Sequence, residues 1–488
     1  MSSALRQKTI FGMIWSSIGK FGTLSLSFIS NLILARILMP SDFGYIGMLH
    51  IFIAISQVFI NGGLGSALIQ KKDVSHIDYS TVFYWNLLLS IIFFVFLYLT
   101  APYIADFYNM HLLKDILRVQ SIILLVNSFS LVQSIQLQKN MRFKALSVRN
   151  IIAALIGAVI AIILALNGYG VWSLVFSNLI AAITSVVLLW RMSSWRPTLE
   201  FSFDSLKNLF SFGGLMLLSS LVETAYTNIQ GLIIGKVFTA KDLGYYTQAR
   251  KLEDVPNSAL SSIVNQVSFP VFSQLQDNLD SLREGVKRSI KSISYLNFPL
   301  MVLLIVIARP LIILFYTQRW EASIYYFQIL CVGAMFYTIN SVNTNVTRSL
   351  GKGSLYFWVQ FIKRLVGIIF IVISVQFGIE AMLWAIVFLN YIFFIINGIV
   401  SGKLINYGFI AQLKDVYGVF ILSTTIGIAT YYGISQFSFN NYLLAIIIHT
   451  LIYSLLYISL SYIFKMDGFF SYKEIAENLF QKKRRKIN

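Results

Sequence analysis

The chain has 488 residues, of which 57% are hydrophobic and 12% charged, and its mean hydropathy is +0.73. So little polar surface cannot enclose so much apolar area in water, which excludes a soluble globular protein and leaves a polytopic membrane protein. The net charge of +18, from 38 Lys and Arg against 20 Asp and Glu, then requires either a topological origin or an anionic partner.

A helix needs about 20 apolar residues to cross ~30 Å of hydrocarbon, and this measure predicts about fourteen spans. In chain order they are 10–35, 43–69, 80–105, 115–138, 147–167, 170–191, 209–236, 243–274, 292–316, 322–349, 355–376, 379–402, 415–434 and 441–464. Arg6 and Lys8 precede the first, Lys20 interrupts it, and no small-residue cleavage site follows, so it is read as an uncleaved span. The single cysteine, Cys331, lies in an apolar run, which offers neither a disulfide framework nor a thiolate metal site.

The loops between these spans explain the charge. With the N-terminus placed in the cytoplasm, the cytoplasmic segments are 70–73, 138–150, 191–207, 283–291, Lys352, Lys403 with Lys414, and the tail. Together with the N-terminus they hold roughly 26 of the 38 Lys and Arg, against about seven on the other side. The basic balance is therefore topology, and no nucleic acid is expected as a partner. An even number of spans returns both termini to the cytoplasm, in agreement with the basic tail.

The stretch "LILARILMPSDFGYIGM" (32–48) is echoed by "LIIGKVFTAKDLGYYTQA" (232–249), with Leu32/Leu232, Ile33/Ile233, Asp42/Asp242, Gly44/Gly244 and Tyr45/Tyr245 identical at a constant offset. "LQKNMRFKALSVRN" (137–150) faces "LGKGSLYFWVQFIKR" (350–364), and "LVFSN" (174–178) faces "IVFLN" (386–390), the offset having grown by about a dozen residues. Six spans separate equivalent elements, so the halves cross the membrane in the same direction, as a parallel repeat with a site expected between them. The expected layout is an N-lobe (1–192), a cytoplasmic inter-lobe loop (193–208), a C-lobe (209–402), an appended helical hairpin (403–464) and a basic cytoplasmic tail (465–488). Phe469, Phe470, Ile475, Leu479 and Phe480 beside the run Lys482 to Lys486 suit either a short interfacial helix on anionic lipid or a plain topology anchor.

Polar residues inside spans cost about 2.5–3.5 kcal/mol per charge and normally face a bundle interior or a wet cavity. The first span carries Ser16, Lys20, Thr23, Ser27 and Asn31 at helical spacing, with Lys20 near the midplane. The second carries His50, Gln57 and Asn61, and the seventh Ser219, Glu223, Tyr226 or Thr227, and Gln230. The eighth carries Arg250, Asp254, Asn257, Ser261, Asn265 and Ser268, with Glu253 alongside and Pro256 and Pro270 expected to bend it. Span ten adds Tyr337, Ser341, Thr344 and Arg348. Lys20, His50, Arg250, Asn257 and Arg348 are the candidate binding residues for an anionic group and its polar attachments. Competing structural readings are an Arg250–Asp254 pair at i,i+4 that neutralises itself, a hydrogen-bonded interior His50, and snorkelling of Arg348, Lys363 and Arg364 to the cytoplasmic face. Glu223 and Asp254 are the candidate ion-coupling carboxylates, taking up a proton or Na⁺. For Glu223 the alternative is a salt bridge to Lys20. No cofactor is expected. The four histidines, at 50, 76, 111 and 449, form no cluster, and no metal-spaced or Ser/His/Asp set is found, so an enzyme is not expected.

The sequence "GMIWSSIGKFGTLSLSFISNLILARILMPSDFGYIGM" (12–48), followed by "INGGLGSALIQKKD" (60–73), closely resembles the polysaccharide transporter family of bacteria, the Wzx-type flippases of the multidrug, oligosaccharidyl-lipid and polysaccharide exporter superfamily. The resemblance covers the whole chain in span count and repeat, and is most specific over the first 75 residues or so. It implies an all-α inner-membrane protein that moves an undecaprenyl-diphosphate-linked oligosaccharide to the periplasmic leaflet for O-antigen, capsule or exopolysaccharide assembly. Membrane lipids, a glycan polymerase and glycosyltransferases would be its partners, and Lys20 and Arg250 would correspond to the family's cationic cavity. Two rivals are a drug/cation antiporter of the same fold, whose cavity should be acidic, and a membrane enzyme of glycan assembly using His111 or Asp106.

Overall fold

The computed structural model describes residues 3–435 and 441–474, together with 477. All regular structure among the described residues is helical, as expected of a chain whose backbone polar groups must be satisfied inside a bilayer. It forms two compact units, Met1–Gly244 and Tyr245–Asn488.

The first unit contains α1 (Ser3–Ile37), α2 (Pro40–Asn61), α3 (Leu64–Gln70), α4 (His76–Tyr108), α5 (Leu112–Gln120), α6 (Ile122–Ser128), α7 (Leu131–Lys139), α8 (Phe143–Leu166), α9 (Val171–Met192) and α10 (Phe203–Val237). Helix α11 (Ala240–Gln274) begins in it and continues into the second. The second unit holds α12 (Leu279–Val306), α13 (Ala308–Tyr316), α14 (Ala322–Ala334), α15 (Tyr337–Ser349), α16 (Gly353–Ser374), α17 (Ile379–Ile405), α18 (Phe409–Ser435) and α19 (Tyr442–Ile463).

Among the described residues, twelve helical runs are long and apolar enough to cross a membrane, and thirteen if the bent α10 is counted as one. The expected span missing from this set is the eighth, α11, which has the length, 35 residues, but is too polar to qualify on composition, with Arg250, Lys251, Glu253 and Asp254 within about one turn. Other differences have local causes. The expected span 115–138 is divided into α5, α6 and α7. At its breaks the hydroxyls of Ser121, Ser128 and Ser130 donate to the carbonyls of Arg118, Leu125 and Asn127 three residues back, competing with the helical ladder. The segment 283–291, expected as a loop, lies inside α12. There Asn278 accepts from the Ser281 amide at 3.0 Å, and Leu282, Val286 and Ile290 bury one stripe at a spacing of four.

The duplicated motif has a physical explanation within the first unit. Asp42 accepts from the Met39 amide at 2.9 Å and Asp242 from the Thr239 amide at 3.1 Å, so each copy caps the helix it opens. The two glycines serve a second purpose. A Cβ added to Gly44 would lie 1.8 Å from the Ala240 carbonyl oxygen, and one added to Gly244 would lie 1.9 Å from the Pro40 carbonyl oxygen. The two helix starts cross backbone against backbone, each copy supplying the glycine that the other's carbonyl requires.

An ion pair between a half-exposed lysine and a buried carboxylate fixes the other end of this unit. Asp78, 2% exposed, receives Lys71 at 2.6 Å, the Ser75 amide at 2.9 Å and the Ser205 hydroxyl, joining the start of α4 to the start of α10. Trp195, Phe83, Leu64, Leu68 and Leu206 form an apolar cluster in the same unit. Asp78→Ala removes one acceptor from three donors, and a loss of about 2 kcal/mol is expected in thermal unfolding, with Asp78→Asn losing less.

In the second unit α18 packs on α12, and α19 on α13 and α18. Lys291 of α12 holds Asp415 of α18 at 3.0 Å and Asp467 at 2.7 Å, and the Tyr472 hydroxyl donates to the Ser292 carbonyl at 3.2 Å. The start of the tail is thus tied back to α12, whereas the apolar and basic positions 475, 479, 480 and 482–486 lie outside the described residues.

Candidate functional site

The candidate residues fall on polar faces of α1, α2 and α10 in the first unit and of α11 and α15 in the second. Lys20 is exposed on α1, one residue beyond Gly19, whose carbonyl accepts the Thr23 hydroxyl at 2.7 Å. His50 is exposed on α2, and its Nδ1 lies 2.8 Å from Asn228 Oδ1 of α10. Glu223 is exposed on α10, and its carbonyl accepts from the Thr227 hydroxyl at 2.9 Å. Within this unit the structure brings His50 to α10 through Asn228, a partner that spacing alone does not reveal. Below His50, Asn127 Nδ2 donates to Gln57 Oε1 at 3.2 Å and Gln57 Nε2 to Asn61 Oδ1 at 3.2 Å, extending the amide face of α2.

In the second unit the carboxylate in contact with Arg250 is Glu253, at 3.6 Å and i,i+3, in place of the expected Asp254. Both spacings bring side chains together on a helix, and burial decides between them. Glu253 is 1% exposed and requires compensation, whereas Asp254 faces outward. Asn257 is buried and donates from Nδ2 to Glu253 Oε1 at 2.9 Å. Arg348 is exposed at the end of α15 with its guanidinium 5.0 Å from the ring centre of Phe269 and 5.9 Å from that of Tyr356. Asn345 on the same helix donates to Asn265 of α11 at 3.0 Å.

Lys363 departs from the snorkelling expectation. It is 7% exposed, halfway along α16, and donates to Asn397 Oδ1 at 3.1 Å and Gln360 Oε1 at 3.3 Å, with its ammonium 4.8 Å from the Phe393 ring centre. Asn397 Nδ2 donates onward to Asn340 Oδ1 at 3.0 Å, so one ammonium organises amides from α16, α17 and α15. Lys363→Ala strands these amide oxygens and opens a void, with an expected cost of about 2–4 kcal/mol, whereas Lys363→Met fills the volume without a charge and should cost less than half as much. Melting temperatures of the purified variants measure the difference.

The first unit offers the exposed cation Lys20, and the second offers Arg250 and Arg348, with the amides of Asn257 and Asn345 on the same two helices and the Tyr356 ring beside Arg348. Such groups bind anions and polar sugars by charge-assisted and neutral hydrogen bonds. Among the described residues no group of three His, Cys, Asp or Glu is placed to hold a metal ion.

Known proteins resemble this chain in sequence, and solved structures resemble it in fold. The teichuronic acid biosynthesis protein TuaB of Bacillus subtilis (strain 168) is 23% identical over 88% of this chain and 90% of its own length. The succinoglycan biosynthesis transport protein ExoT of Rhizobium meliloti (strain 1021) is 26% identical over 79% of this chain and 78% of its own. Among solved structures, the lipid II flippase MurJ in an inward closed conformation superposes with a TM-score of 0.75 at 17% identity, covering 93% of this chain and 99% of that one, which establishes a shared fold. The family model described as polysaccharide biosynthesis protein matches residues 33–325, and the chain belongs to that family.

Proposed function

We propose that this protein is a flippase that moves a polyprenyl-diphosphate-linked oligosaccharide, with undecaprenyl as the expected lipid, from the cytoplasmic to the outer leaflet of a bacterial cytoplasmic membrane by alternating access, for surface-polysaccharide assembly. The observation that carries the reading is the charge on its polar helix faces: Lys20 and the partly exposed Arg250 lie inside long helices of a chain that is otherwise 57% hydrophobic. Membership of a polysaccharide biosynthesis family and likeness to a succinoglycan transport protein and to a lipid II flippase support it.

On this reading α11 is a fourteenth span, tolerated in the membrane because its polar face lines the route of the sugars. Both termini are cytoplasmic, as the distribution of Lys and Arg favours. The cations hold the diphosphate, amides and tyrosines contact sugar, and the polyprenyl chain stays in lipid. No bond is made or broken, so catalytic groups are not required. A glycan polymerase would receive the flipped unit, and glycosyltransferases would supply it.

The test is loss of the protein in a host that depends on it. Surface polymer should disappear while lipid-linked repeat units accumulate facing the cytoplasm. Unchanged polymer together with lost efflux of a cationic dye would replace this reading with a drug antiporter.

A further inference from the structure

The exposed apolar surface of α19 continues around a corner onto the start of the tail. Tyr462, Ile463 and Phe464 at its end are exposed, Lys465 takes a left-handed backbone with φ 50°, and residues 467–474 are helical. The rings of Phe469 and Phe470 lie 5.9 and 6.4 Å from that of Tyr462, and Phe470 is itself exposed, so one aromatic rim joins the span to the tail. Tyrosine at the end of an apolar span marks the headgroup level. Attachments to α12 hold the short helix at this rim: Asp467 receives Lys291 at 2.7 Å, the Tyr472 ring stacks on that of Tyr295 at 6.0 Å, and Gly468 is buried against the same ring. Eight residues beyond Glu474 the sequence reads Lys482, Lys483, Arg484, Arg485, Lys486, with no Asp or Glu after Glu477. Eight residues reach at most about 28 Å when fully extended, so these five cations stay near the rim in any conformation.

We infer that the tail is a docking surface for anionic lipid headgroups, its aromatic rim entering the apolar edge of the leaflet and its basic run meeting lipid phosphates. A topology anchor needs only the charges, whereas an exposed aromatic rim tied in place beside them serves contact with lipid. Nucleic acid or an acidic protein would neutralise the cations but leave Tyr462, Phe464 and Phe470 uncovered. Each Lys or Arg near an anionic surface gains about fivefold in affinity, and the gain fades beyond a Debye length. The short reach from the anchored helix keeps all five cations where that gain is available. That the leaflet is the cytoplasmic one rests on the topology of the flippase reading; the binding itself does not.

Cys331 is buried, so a thiol-reactive fluorophore reports on Gln481→Cys alone. The labelled full-length protein is placed in nanodiscs of phosphatidylcholine, or of an equal mixture with phosphatidylglycerol, and quenching by acrylamide, a neutral aqueous quencher, is measured. Quenching should fall at least about fivefold in the anionic discs and recover in about 1 M salt, where the screening length is about 3 Å. Replacing Lys482, Lys483, Arg484, Arg485 and Lys486 together by Gln should abolish the protection and leave the melting temperature unchanged, and Phe470→Ser should weaken it. Equal quenching in both kinds of disc would overturn the inference, as would protection that survives neutralisation of the five cations. Protection in neutral discs that appears only on adding RNA or an acidic protein would also overturn it, assigning the tail to that partner. A disc offers lipid at either face, so a negative result leaves the flippase reading intact, and docking that persists while no lipid-linked oligosaccharide is moved would remove only the transport reading.

Discussion

Gly44→Ala is expected to lower the stability of the protein by about 3 kcal/mol, the upper end of overpacking costs, although alanine is the better helix former. The added methyl would meet the Ala240 carbonyl at 1.8 Å, and a backbone carbonyl, unlike the tip of a side chain, cannot move aside without carrying the start of α11 with it. Gly244→Ala should cost a similar amount, because its methyl meets the Pro40 carbonyl at 1.9 Å. The double variant should lose less than the sum, since the first substitution already parts the two helix starts. Melting curves of the purified protein measure all three, and full additivity would mean that the two glycines do not share one contact. The duplicated motif would then be explained by its capping aspartates alone.

The second large effect is on transport. Arg250→Gln and Lys20→Gln each remove a cation from a face reachable from outside the helix. A charge-assisted hydrogen bond is worth about 1.5–3 kcal/mol, so each change should weaken diphosphate binding on the order of 10- to 100-fold. Expression and melting temperature should change little for Lys20→Gln. Arg250→Gln should in addition destabilise the protein by about 1–3 kcal/mol, because the buried Glu253 loses its counter-charge. A Glu253→Gln, Arg250→Gln double variant should regain the stability but not the transport. Measuring stability and transport on the same preparations separates the two roles of Arg250.

Hydropathy made the bundle legible because the bilayer sets one length scale for every span, and the resemblance carried by residues 12–73 led to the family. The duplicated Asp and Gly were visible as letters, but their purpose depends on two helix starts, two hundred residues apart, meeting within one unit. The site was legible only as stripes. Periodicity places Arg250, Glu253 and Asp254 close together on α11, yet which carboxylate takes the arginine follows from which of them is buried, and that depends on neighbouring helices. Lys363 illustrates the same limit. Beside Arg364 and after a short basic loop it reads as a snorkelling pair, and nothing in its own helix announces that Asn397 from α17 receives its ammonium. Breaks such as those around Ser121 and Ser130 are hidden for a different reason, because a hydroxyl's choice between solvent and the backbone leaves no trace in hydropathy.

The most direct test of the central claim is the leaflet accessibility of an undecaprenyl-diphosphate oligosaccharide in vesicles containing the purified protein, measured beside Lys20→Gln and Arg250→Gln. Wild type should render the glycan accessible from the opposite face, and both substitutions should slow this on the order of tenfold or more. Equal accessibility with wild type, with either variant and with empty vesicles, across several glycans, would contradict the account.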